Sequence, residues 1–315
     1  MPVSGIEQKT VIQIGVIVRD IERTAAHYTE ILGLPNPATV LLHDDPHANY
    51  HGQETHVRTK ICCIQMGQVQ FEMLQPLNAP NAWHDFLDQH GEGIHHIAFS
   101  PSPTEKAAAS LVEHGYEIIQ QSYFGERAGM YTYLNTDKDM AIVIELLEHF
   151  SSNRTFSSPP INPDQGIGTD TVCQVGIMVR DIEKTAQRIS DVLGLPKPPI
   201  FSTPGYDVVK TTYNGQPCDA IAKLCFFNVG QLQIELIEPD EKPSVWRDFL
   251  NQYGERAHHI AFPVQNTQRV TDYLAQHGIP ISQQGLYGDL SGIYTYVASE
   301  NQLGTAVELL ENFPK

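Results

Sequence analysis

Eight polar residues stand where strands of a folded core would carry apolar ones. They come as two matched sets: Gln13, Glu72, His96 and Glu145, then Gln174, Glu235, His259 and Glu308. One imidazole nitrogen and three oxygen donors per set suit a borderline or hard divalent ion such as Zn, Mn, Co or Ni, up to two ions per chain. Counting by twos along strands, Gln13 falls with Val11, Gly15 and Ile17, Glu72 with Gln70 and Leu74, and Glu145 with Val143 and Leu147. A carboxylate among such neighbours is costly unless it is paired, hydrogen-bonded or bound to metal. A single Glu of this kind is ordinarily an edge residue facing solvent. The same four positions breaking the pattern twice point instead to a site built twice. The adjacent His95 and His258 alternate onto the opposite face and read as structural or supporting residues.

These residues sit inside an internal repeat. Residues 13–35 and 174–196 agree at 13 of 23 positions, and residues 83–99 and 246–262 at 12 of 17, from Trp83 and Trp246 through the doublets His95-His96 and His258-His259. Such self-similarity marks a duplicated architecture. The expected organisation is a first domain at 1–150, a linker at 151–170 rich in Ser, Pro and Gly, and a second domain at 171–315. Within the first half, Val11 to Val18 reads as a strand. Asp20 then opens a helix with apolar spacing through Ile21, Ala25, Tyr28 and Leu32, stopped at Gly33 and Pro35. Strands at Thr59 to Gln65 and Gln68 to Gln75, a short helix at Trp83 to Gln89, and a second round of strand, helix and strands up to Glu148 follow. The fold class is α+β: four βαβββ modules in two homologous halves, whose cupped, mostly antiparallel sheets pair to close on each other. Gln13 and His96 occupy one point of each module's first strand, and Glu72 and Glu145 one point of its last. Facing modules would therefore bring two pairs to one centre. Closure within each half and exchange between halves both fit, and the first is favoured.

The bulk properties narrow the partners. A formal charge of -17, from 37 acidic and 20 basic residues, supplies no basic face for nucleic acid. No apolar run reaches the roughly 18 residues that span a bilayer. Residues 1–10 lack a secretory core, and five cysteines without a CxxC suit a reducing, cytoplasmic setting. The expected partner is a small molecule, and a homodimer is one assembly that these features permit.

With the quartets in hand, the chain resembles the vicinal-oxygen-chelate superfamily of glyoxalases, bleomycin-resistance proteins and dioxygenases over nearly its whole length. The stretch Gln68 to Phe99 is similar to methylmalonyl-CoA epimerase, whereas the Gln/Glu/His/Glu set is similar to zinc glyoxalase I. The glutathione-binding residues of the latter are not matched, since Ile17 and Met178, and Pro76 and Pro239, stand at those places. The resemblance implies that all eight residues are metal ligands and that Glu72, Glu145, Glu235 and Glu308 also move protons. The implied activity is an isomerase or epimerase working through a metal-stabilised enolate on an acyl-CoA, keto-sugar, keto-cyclitol or related α-carbonyl compound. A lyase or ring-cleaving dioxygenase of the same fold is the alternative, weakened by the missing second histidine, and a non-catalytic binding protein ranks last. Further candidates are Glu54, the histidines of the segment His43 to His56 read as a loop, Lys60 with Lys223 as residues that could face the cup, and the tyrosines at 131, 133, 294 and 296.

Overall fold

Asp20 and Asp181 begin equivalent helices by accepting the backbone N–H of Arg23 and Lys184, each at 3.0 Å. Both helices end on glycines in the left-handed region, Gly33 at φ 65° and Gly194 at φ 62°. The computed structural model describes residues 6, 8–36, 38–150 and 161–314. The first half runs β1 (Val11–Ile17), α1 (Ile21–Leu32), β2 (Val40–Tyr50), β3 (Gln53–Met66), β4 (Val69–Pro76), α2 (Ala82–His90), β5 (Gly93–Phe99), α3 (Thr104–Glu113), β6 (Ile118–Phe124), β7 (Gly129–Leu134), α4 (Asp137–Met140) and β8 (Val143–His149). The second runs β9 (Gln174–Met178), α5 (Ile182–Leu193), β10 (Phe201–Ser202), α6 (Tyr206–Val209), β11 (Thr212–Tyr213), β12 (Gln216–Pro217), β13 (Ala222–Val229) and β14 (Leu232–Pro239). It continues through α7 (Val245–Tyr253), β15 (Arg256–Pro263), α8 (Thr267–Gln276), β16 (Ile281–Leu286), β17 (Gly292–Val297), α9 (Glu300–Leu303) and β18 (Ala306–Asn312).

In the first half eight strands close into a barrel in the order β1-β4-β3-β2-β6-β7-β8-β5. β1 runs parallel to β4 and antiparallel to β5, and β5 runs parallel to β8, so the first and last strands of both modules lie side by side. The second half repeats this centre as β14-β9-β15-β18 within a sheet that stays open, ordered β10-β13-β14-β9-β15-β18-β17-β16-β11-β12. The difference lies in one segment. The long β2–β3 hairpin reaches β6 through Asn49 and Tyr50 and seals the barrel, whereas its counterpart is broken into β10, the single turn of α6, and the short β11–β12 hairpin. The histidine-bearing segment 43–56 is therefore not a loop but this hairpin. It escapes period-two reading because its inward positions carry polar groups such as Asp45, which accepts from the Ser122 hydroxyl. β6 likewise goes unread between its helix and β7.

One face of each sheet lines a cup and the other packs on helices. Ile14 and Val16 of β1, and Val18 just after it, turn to the helix side, whereas Ile17, Leu74, Val143 and Leu147 turn inward with Trp83, Tyr131 and Tyr133. The helix-side core is continuous across both halves, running from Ile14 and Phe71 through Val175 and Ile234 to Leu309. Polar clasps join the same surfaces. Arg188 of α5 pairs with Asp139 of α4 at 2.7 Å, and Gln231 donates to the Met66 carbonyl at 2.9 Å. Of the expected linker, residues 151–160 lie outside the described residues; beyond them Ile167 donates to the Ile31 carbonyl at 2.9 Å at the end of α1. No helix among the described residues is long and apolar enough to cross a membrane. Phe71 is fully buried against Tyr28, with ring centroids 4.7 Å apart. Phe71→Ala should cost about 3–5 kcal/mol. Because the core is shared, calorimetry should show one lowered transition for the whole chain rather than separate melting of the first half.

Candidate metal centres

The strand order β4-β1-β5-β8 brings Glu72, Gln13, His96 and Glu145 together inside one half, and β14-β9-β15-β18 does the same for Glu235, Gln174, His259 and Glu308. Closure within each half is thus the arrangement found. His96 Nε2 lies 3.1 Å from Glu145 Oε2 and 3.7 Å from Glu72 Oε2. In the second half His259 Nε2 lies 3.1 Å from Glu308 Oε2, 3.4 Å from Glu235 Oε2 and 3.5 Å from Gln174 Oε1.

Supporting residues set this geometry. Gln13 Nε2 donates to Gln70 at 2.7 Å and Gln174 Nε2 to Gln233 at 2.8 Å, so each candidate ligand amide has its oxygen left for the centre. Gly15 pairs with both Glu72 and His96 across its two neighbouring strands. A Cβ there would lie 1.9 Å from His96 Cε1, and one on Gly176 would lie 1.8 Å from His259 Cε1. The imidazole occupies the space that glycine leaves. Repeated glycines inside strands, each opposite a histidine, are the sequence signal for this. His95 does not point to the opposite face as alternation requires. A register shift in the β1–β5 pairing, matched between β9 and β15, turns it so that its Nδ1 sits 3.0 Å from His96 Nδ1, and His258 sits 3.1 Å from His259 in the same way. That contact leaves Nε2 as the nitrogen facing the carboxyls and fixes the ring.

Burial sets the electrostatics. It pushes the Glu72 carboxyl well above the usual range, with the Glu145 charge adding to it, and lifts Glu145 to about 8 and Glu235 to about 7. It pushes His96 down to about 3. Burial would also lower His259, but the carboxylates of Glu308 and Glu235 outweigh it and raise the imidazole to about 9. Burial thus dominates at the first centre, whereas at the second the neighbouring carboxylates outweigh burial at the ring.

A divalent ion fits these residues. Gln13 Oε1, His96 Nε2, Glu145 Oε2, Glu235 Oε2 and Glu308 Oε2 are buried without a hydrogen-bond partner, although several lie within 4 Å of one another. They converge on a point rather than bond to each other. Glu235, His259 and Glu308 offer ligand atoms that all lie within 4.8 Å. Ligand atoms about 2.1 Å from a common ion stand roughly 3.0–3.4 Å apart, which the 3.1 Å contacts meet.

The remaining candidates fall elsewhere. Lys60 pairs with Glu22 at 2.5 Å and Lys223 with Glu238 at 2.6 Å, outside the cups, because a strand lysine on the helix side finds acids there. Glu54 lies near the hairpin tip, exposed, 3.4 Å from His47. Tyr131 and Tyr133 line the first cup, and Tyr294 and Tyr296 the second.

A profile of the Glyoxalase/Bleomycin resistance protein/Dioxygenase superfamily matches residues 12–134 and 173–296. The uncharacterized protein YqjC of Bacillus subtilis (strain 168) is 26% identical over 138 residues, 43% of this chain and 89% of that protein, so it is about the length of one half. Among solved structures, a triple mutant of 4-hydroxymandelate synthase from Streptomyces coelicolor superposes with a TM-score of 0.60 at 15% identity, over 99% of this chain and 93% of that one.

Gly15→Ala should displace His96 and lower the metal content by one ion per chain, and Gly176→Ala should do the same at the other centre. Elemental analysis after dialysis measures both; unchanged stoichiometry in either variant counts against that centre. A pH dependence follows as well. Glu145 at about 8 and Glu235 at about 7 stand above the ordinary 4.5, so the metal-free fold holds these protons more tightly than the unfolded chain. Their stabilising contribution is full below 4.5 and is lost as pH rises through 7 to 8. Metal takes the deprotonated form. Its affinity should therefore climb over that window with proton release, which calorimetry in buffers of different ionisation enthalpy detects.

Proposed function

The chain belongs to the glyoxalase/bleomycin resistance protein/dioxygenase superfamily, and from that premise we propose that it is a metal-dependent isomerase or epimerase moving a proton at a carbon next to a carbonyl. The observation that carries this reading is the pair of buried carboxyls flanking one imidazole in each cup, Glu72 and Glu145 on β4 and β8, and Glu235 and Glu308 on β14 and β18. A divalent ion held by the quartet would act as a Lewis acid on the substrate's carbonyl oxygen and lower the cost of charge developing there.

The protein's own groups supply the rest. Carboxyls whose proton affinity burial has raised toward neutrality are matched to both taking and returning a proton at working pH. Glu72 has the more accessible side chain, at 13% against 3% for Glu145, and suits the role of removing the α-proton. Glu145, beside the Tyr133 hydroxyl, suits return from the other side. Tyr131, Tyr133 and Trp83 form a dry aromatic wall that orients the substrate and excludes water. Each quartet contains one imidazole, and the other ring nearby, His95 or His258, lies behind it. That donor set argues against the two-histidine pattern of oxygen-activating iron sites.

In D2O, the metal-loaded protein should exchange deuterium into the α-position of its substrate among keto-sugars, keto-cyclitols and acyl thioesters, with no oxygen consumed. Glu145→Gln combined with Glu308→Gln should slow exchange about 100-fold or more while the fold persists by circular dichroism. Oxygen uptake coupled to turnover would place the chain with the dioxygenases instead.

A further inference from the structure

A cavity of about 240 Å³ lies between the end of α2 in the first half and the start of β15 in the second, and the proposed chemistry does not use it. Its unusual wall is Arg256, only 7% exposed. The repeat places Gly93 at the equivalent position. A Cβ on Gly93 would lie 1.9 Å from Arg256 Nη2, so the guanidinium crosses into the first half through space that only glycine leaves. Nη1 donates to the His90 carbonyl at 2.8 Å and Nη2 to the Glu92 carbonyl at 3.1 Å. The rings of Phe86, Phe249 and Tyr253 pack around it at 4.9–5.8 Å. Nε is buried without an acceptor. Burial pushes the group down to about 10, and among the described residues no carboxylate counters that.

A guanidinium has five N–H donors, and two are engaged here. A buried cation without a counter-charge is costly, and carbonyls and ring faces offset only part of that cost. The cavity supplies a place for the missing anion. Ala82, Phe86, Ile94 and Ile119 give it apolar walls. Asp85, Asp137 and Glu255 also line it. Asp85 accepts from the Tyr50 hydroxyl and Glu255 from the Arg180 backbone N–H, so both are partly compensated. None of the three pairs with the guanidinium among the described residues; lining the cavity, they raise the cost of each further negative charge, which favours a single charge on an apolar body over phosphates and dicarboxylates. His95 forms another wall, and its Nδ1 touches the candidate ligand His96.

We infer that this cavity binds a small organic monocarboxylate on Arg256, and that its occupancy is felt at the first metal centre through His95. Binding does not depend on the metal reading; the coupling does. Titration calorimetry of the full chain with benzoate, with and without chelator, tests the first part. One benzoate should bind per chain in both states. Arg256→Gln should weaken it roughly tenfold or more. Gln89→Trp, at an exposed position on the rim, should do the same and keeps the test decisive if Arg256→Gln fails to fold. Inorganic phosphate should bind at least about tenfold more weakly than benzoate. No binding at about 10 mM, binding only with metal present, a preference for phosphate, or wild-type affinity in Gln89→Trp overturns the site. For the coupling, Mn(II) is titrated into Glu308→Gln, which disables the second centre. Saturating benzoate should shift Mn(II) affinity roughly fivefold or more, and the shift should vanish when Gln89→Trp is added. An unchanged Mn(II) affinity overturns the coupling while leaving the site standing.

Discussion

The cost of burying a carboxylate organises this protein. Each cup places two glutamates and an imidazole in water-poor surroundings, and isolated charges there cannot be sustained. The groups must share protons or share a cation. Much of the nearby architecture serves that requirement. Glycine in the first strand admits the ring, a glutamine beside the ligand glutamine turns its amide, and a bulge brings a second histidine behind the first. The parallel pairing of β1 with β4 and of β5 with β8 sets the carboxyls on either side of that ring. An arrangement strained without a cation and relaxed with one is what a loaded site needs, because affinity comes from relieving an existing cost.

Duplication has preserved this centre while its surroundings drifted. The quartets, their glycines and their supporting glutamines are the same in both halves. Ser122 of the first cup becomes Gly285 in the second, where a Cβ would lie 2.7 Å from the Thr211 and Tyr294 hydroxyls. The walls therefore differ although the candidate ligands agree. The shared helix-side core prevents either half from drifting independently, since each completes the other's packing.

The candidate ligands were legible in the sequence because they broke a pattern twice. Glu72 and Glu145 stand out against apolar neighbours, and their repetition as Glu235 and Glu308 removes the ordinary explanation of an exposed edge. The sequence hid β2 and β6, because the interior of a small barrel tolerates Asp45, Ser122 and Gln120 facing inward, and such strands have no apolar alternation to read. It misplaced His95, since a bulge shifts the register without leaving a mark in residue type. It favoured closure over exchange only slightly, because that choice depends on contacts between segments far apart in the chain. Arg256 was visible only as a mismatch with Gly93 inside an otherwise well-kept repeat. In a duplicated protein the positions that disagree deserve as much scrutiny as those that agree.

The sealed first barrel differs from the second cup in what bounds it. A closed ring of strands has no free edge. Parting β2 from β6 means breaking backbone hydrogen bonds and exposing polar groups on both sides. Two residue pairs, Asn49 with Gln121 and Tyr50 with Gln120, hold that seam. The second cup is bordered by two-residue strands and a single helical turn, elements that hold few bonds each and open locally at low cost. One chain therefore carries a cup ringed by strands and a cup bordered by short, separately held segments around the same candidate ligand set.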